Sequence, residues 1–221
     1  MSCRRLPFIA VILIVVFMPS AAVAGEFSGG GGSIYIGTGW PNSIDAASEL
    51  ADDLAINDET GNFVLGVQGF FQGSRYRLGG AFQAHAWAGV NIGKNGAEDD
   101  AAGVAALVGG LYGTFTIRCD RVLFNVGAVV GAGRCLLGYS LGDEDEDREE
   151  SVSTFFIEPQ ASLGVATCRW FGVEFQLSAP IFFLTEDLEL SEGGKTYTVK
   201  SDDMIGVNFS IKLTFGKIAN L

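Results

Sequence analysis

The sequence predicts an all-β chain of eight antiparallel strands closed into an up-and-down barrel. Two patterns carry that prediction. Apolar or small residues recur at every second position through long segments, which marks strands with two chemically different faces. Eight such segments occur, joined alternately by connections of one or two residues and of ten or more. A meander of that kind sets tight turns at one end and long loops at the other.

The first segment, 33–40, follows the glycines Gly29 to Gly32, which read as a lead-in. Residues 41–62 form the first long loop, where Ile44, Ala47, Leu50, Ala51 and Leu54 share one side of a short helix over 44–58. The second segment, 63–72, turns through Gly73-Ser74 into the third, 75–92. There Leu78, Phe82, Ala84 and Ala86 alternate with Arg77, Gln83, His85 and Trp87. Loop 93–102 leads to the fourth, 103–118, and Cys119-Asp120 joins it to the fifth, 121–139. Loop 140–151 precedes the sixth, 152–168, which turns at Arg169 into the seventh, 170–184. After loop 185–202 the eighth, 203–216, alternates Phe209, Ile211, Leu213 and Phe215 with Asn208, Ser210, Lys212 and Thr214.

Composition narrows the class. The 221 residues include 31 Gly but only 5 Pro, with 48% hydrophobic and 18% charged residues, which excludes collagen-like and disordered chains. The net charge of −12 argues against nucleic-acid binding, which needs a basic footprint. Residues 1–24 read as a secretory leader: Arg4 and Arg5, an apolar run from Leu6 to Met18, then Ala22-Val23-Ala24 as the small-x-small cleavage site. Without them, residues 25–221 form one domain with a net charge of −14. Three cysteines remain, an odd number; Cys119 and Cys168 fall near tight turns, where a bridge and two free thiols are both open.

Alternation alone does not say which face points inward. The length of the strands, the closure of an even-stranded ring and the one-sided long loops favour lipid on the apolar face. The long-loop end with its strand ends holds 22 of the 26 acids, from Asp45 to Asp203, while Arg75, Arg77, Arg118, Arg121 and Arg169 gather at the other end. In its leader, eight segments, loop asymmetry and amphipathic final strand Ile205–Phe215, the chain resembles small outer-membrane β-barrels of the OmpA/OmpX type. The resemblance is architectural, without a family-specific motif. It implies an eight-stranded antiparallel up-and-down transmembrane β-barrel in the outer membrane, with lipid as its surroundings.

With the apolar face outward, the lumen holds a polar network in which Glu174, Lys212, Glu158, His85, Arg77 and Arg118 are the charged or titratable members. Glu174 and Lys212 stand at similar heights on neighbouring strands and are expected to pair, because a lone buried charge is costly. Chemistry of other kinds finds little support. A single histidine excludes two-His metal motifs, and no Ser stands in a G-x-S-x-G elbow. His85, with Glu158 to orient it, is the one candidate base for a lipid-modifying barrel enzyme, but its neighbours Ala84, Ala86 and Trp87 supply no nucleophile. The run Asp143 to Asp147 lacks the glycine turn and terminal Glu of an EF-hand loop and reads as solvated, attracting divalent cations only diffusely. No cofactor or specific metal site is expected. The reading is a non-enzymatic barrel whose acidic loops serve envelope integrity, surface contact or adhesion. A lipid-modifying enzyme using His85 and a secreted lipocalin-like carrier of an apolar ligand are the alternatives.

Overall fold

A computed structural model describes residues 29–40, 44–56, 60–91, 100–141 and 146–216. Residues 1–24, which the sequence reads as a leader, and most of the Asp143–Asp147 run and of segment 93–102 lie outside these residues. In chain order the elements are β1 (Gly29–Trp40), helix α1 (Asp45–Asp53), β2 (Thr60–Gln72), β3 (Tyr76–Asn91), β4 (Asp100–Cys119) and β5 (Val122–Leu141). Then come β6 (Glu146–Cys168), β7 (Phe171–Ser178), β8 (Ile181–Leu184), β9 (Leu188–Glu192), β10 (Lys195–Val199), a 3-10 turn (Ser201–Met204) and β11 (Val207–Gly216). Cys119, Cys135 and Cys168 are free thiols.

Eight antiparallel courses close a ring, β1 to β7 in sequence and then β11, which returns to β1. β7 and β8 form one course along β6, interrupted at Pro180, which has no N–H to give to a ladder. Facing residues traced from Glu174 through Lys212, Tyr35, Gly66, Gln83, Val108, Gly133 and Thr154 return to that course at Leu184, ten residues further along. Eight strands with that stagger tilt by about 40° and enclose a bore that side chains fill.

The outer face carries an apolar belt. On β5 it runs from Val122 to Ala132 and on β6 from Phe155 to Val165, with Leu111, Phe175, Phe209 and Leu213 exposed around the ring. Eleven residues at that tilt span roughly 25–27 Å, the height of a bilayer's apolar core. Aromatic residues mark both edges: Trp40 and the Phe155–Phe183 pair at the long-loop edge, Trp170 and the Phe171–Phe215 and Tyr76–Phe115 pairs at the tight-turn edge. The protein is therefore a transmembrane β-barrel. A soluble carrier would direct Phe175, Phe209 and Leu213 inward; they face away from the axis.

Several local expectations change. Gly29 to Gly32 are not a lead-in but part of the ladder, Gly31 standing opposite both Phe70 and Gly216. Segment 140–151 is not a loop over its described residues, since the β5–β6 ladder continues to Leu141↔Glu146. Charge density suggested a loop there, but in water a strand carries charged side chains without cost to its backbone pairing. Loop 185–202 holds the β9–β10 hairpin and the 3-10 turn, so the last barrel strand starts at Val207 rather than 203. Gly193 and Gly194 both have positive φ, as a two-residue turn matching strand twist requires.

Above the belt the two faces exchange character. On β5 the outward series Val130, Ala132 gives way to Arg134, whose guanidinium donates to Ser151 on β6 at 3.1 Å. The inward residues of the same stretch, Cys135, Leu137 and Tyr139, are buried. They pack with Val152, with Leu188, Leu190, Tyr197 and Val199 of the hairpin, with Met204, with Ile44, and with Ala47, Leu50 and Ala51 of α1. In lipid the apolar side faces out; beyond the headgroups water drives it in.

Candidate functional site in the barrel lumen

The lumen is layered. Toward the tight-turn end Glu174 lies fully buried at the centre of an ion cluster. Arg77 Nη1 reaches it from the facing wall at 2.8 Å, and Lys212 Nζ from the adjacent strand at 3.2 Å. Asn125 Nδ2 (3.0 Å), the Ser162 hydroxyl (2.7 Å) and the Thr214 hydroxyl (2.9 Å) also donate to its oxygens. Gly164 makes the position possible, because a Cβ there would lie 2.5 Å from Glu174 Cγ. Arg77 donates its Nε to Gln72 at 2.9 Å and lies over the Phe70 ring. One carboxylate with two cations and three neutral donors satisfies a buried charge that lipid would otherwise surround.

Glu158 is on the next level toward the loops. It does not touch His85; Gln83 bridges them, donating to Glu158 and standing 2.8 Å from His85 Nε2. Asn208 Nδ2 lies 3.4 Å from His85 Nδ1, so both ring nitrogens are engaged, as in a neutral imidazole that donates at Nε2 and accepts at Nδ1. The ring stacks on Trp87 at 6.1 Å and meets Phe182 edge-on at 5.2 Å. Among the described residues no Ser, Thr or Cys side chain hydrogen-bonds to it. The arrangement lacks the nucleophile–base contact that covalent hydrolysis needs. Arg118 stands apart from the cluster, inward on β4 near the tight turns.

Above His85 an aromatic floor of Trp87, Phe156 and Phe182 separates the polar lumen from the apolar roof. α1 lies over the roof, clasped to the hairpin by Asp53, which accepts from Lys195 Nζ and the Tyr197 hydroxyl, each at 2.6 Å. Glu49 is 3.6 Å from the same ammonium. At the rim Glu192 accepts from Tyr139 at 2.9 Å and pairs with Arg148 at 2.7 Å. The hydrogen bonds from Lys195, and then Tyr197, hold the Asp53 carboxyl below the usual aspartate range. A lowered folded value places the clasp's contribution above the ordinary aspartate pKa, and acid removes it as pH falls through the lowered value. Backbone amides of 45–53 are therefore expected to exchange faster in acid, once the carboxyl is protonated, than at pH 7, after correction for intrinsic rates. Asp53→Asn should produce much of that acceleration at neutral pH; exchange unchanged in both cases would show that the clasp does not hold the helix.

Sequence reasoning missed the aromatic floor, the clasp and the hairpin. Gly193-Gly194 between two short alternating runs was a readable hairpin signal, and Arg134 within an apolar outward series was a readable boundary. The clasp had no local signal, since Asp53 and Lys195 are 142 positions apart.

No family model matches the sequence, and no curated protein does. Among solved structures the chain is similar to Ail, the attachment invasion locus protein of Yersinia pestis, at 12% identity over 85% of this chain and 97% of that one, with a TM-score of 0.44. It is similar also to Neisserial surface protein A (9% identity, 88% and 99% covered, TM-score 0.47). The N-terminal β-barrel domain of Pseudomonas aeruginosa OprF gives 8% identity, 86% and 98% coverage and a TM-score of 0.42.

Proposed function

We propose that this is an outer-membrane barrel that neither conducts solutes nor performs chemistry, and that presents a folded acidic roof to the outside for surface contact and envelope integrity. The observation that carries the reading is the lumen, filled from the Glu174 cluster to the aromatic floor by buried side chains and roofed by α1 and the hairpin. A channel needs a continuous wet path, and an enzyme needs a group that reaches substrate; His85 is sealed beneath the floor. The work then falls to the outward surfaces, the belt in lipid and the rim in water. Glu49, Asp52, Glu149, Glu150, Glu186, Asp187, Glu189, Asp202 and Asp203 are exposed at that rim. So many like charges draw cations and basic surfaces by long-range attraction that salt weakens.

Purified protein in planar bilayers should give no large, stable single-channel steps. In cells it should fractionate with the outer membrane and migrate faster on gels before boiling than after. Regular conductance steps of porin size would overturn the reading, as would recovery in the aqueous fraction without detergent.

A further inference from the structure

We propose that the tight-turn mouth of the lumen is a binding site for a phosphate-type oxyanion, held by Arg118 with Arg77. Arg118 projects inward from β4 and is only half-buried, so one side of it opens toward the turn end. Its Nε and Nη2 are buried without a hydrogen-bond partner. It forms no ion pair among the described residues, and the charged neighbour it feels is Arg77, which repels it. Arg77 is fully buried and uses Nε on Gln72 and Nη1 on Glu174, which leaves Nη2 without a partner. Three cations, Arg77, Lys212 and Arg118, thus share this end of the lumen with a single carboxylate, Glu174.

Excess positive charge beside orphaned N–H groups, with lipid all round, calls for an anion. An oxyanion supplies what the wall lacks. Its oxygens diverge, so one can accept from Arg77 Nη2 while others take the planar fork of Arg118. A carboxylate from the chain does not fill the place: Glu174 is already bound by five donors and Glu158 lies farther toward the loops. Exposed Arg75 and Arg121 at the same end raise the local anion concentration. Free phosphate and the headgroup of an anionic phospholipid offer the same chemistry.

The test uses the full barrel, ¹⁵N-arginine labelled and folded in dodecyl maltoside without phosphate; heat-modifiable migration establishes that each variant is folded. Inorganic phosphate should shift the Arg77 Nε–H resonance saturably. Arg118→Gln should weaken that response at least tenfold and Arg118→Lys should weaken it less, whereas Arg169→Gln, whose guanidinium lies over Trp170, should leave it unchanged. If inorganic phosphate has no effect, but nanodiscs containing phosphatidylglycerol shift the resonance relative to pure phosphatidylcholine in an Arg118-dependent way, the source is the lipid headgroup. No saturable shift in either setting overturns the site, and so does equal weakening by Arg118→Gln and Arg169→Gln.

Discussion

Glu174→Gln is expected to destabilise the folded barrel by about 3–5 kcal/mol, the cost of removing one member of a buried ionic cluster. The substitution keeps the size of the side chain and one acceptor oxygen, so packing is nearly unchanged and the charge is what goes. Arg77 and Lys212 then lose the carboxylate that both contact, in a bore that lipid surrounds, and Asn125, Ser162 and Thr214 donate to an amide or to nothing. Urea titration in lipid vesicles, read as the heat-modifiable fraction, measures the loss. Lys212→Met in the Glu174→Gln background should restore part of it, because the second change removes a stranded charge and replaces it with a side chain of similar length. A Glu174→Gln barrel within 1 kcal/mol of its parent would falsify the central role given to this carboxylate.

Leu111→Arg should cost about 2–4 kcal/mol, the penalty for a guanidinium at the bilayer midplane on a barrel's outer face. Leu111 is 67% exposed and stands midway along the outward series of β4, between Ala105 and Ile117. Ser153→Arg offers the matched contrast. Ser153 also points outward, but it lies at the level of Arg134, where the belt has ended; its replacement should change stability by well under 1 kcal/mol. Equal effects at the two sites would mean that the belt does not mark the bilayer.

The contrast between these positions also separates what can be read locally from what cannot. Phe82 against Gln83, or Phe175 against Gln176, assigns each residue to a face, because the pleat repeats every two residues whatever the strand pairs with. Segment 140–151 resisted the same reasoning. Its acids resemble a solvated loop, yet its described residues continue the β5–β6 ladder, because water beyond the headgroups accepts charged side chains on a strand. Trp87, Phe156 and Phe182 fall on the inward face by parity, but nothing local says that they meet as one floor. The partners of Glu174 show the same division: Lys212 comes from the adjacent strand, whereas Arg77 arrives from the facing wall, 97 positions away in the chain.

By itself the sequence determined the number of courses in the barrel, the division of each into an oily and a wet face, and the end of the barrel where the described acids gather. All three follow from short-range patterns that every strand carries separately. The tertiary structure alone decided which lumen groups touch, where the polarity of the wall reverses, and that a helix and a hairpin close one end. Those features depend on the ten-residue stagger accumulated around the ring and on burial between distant segments, and neither is encoded in any single stretch of chain.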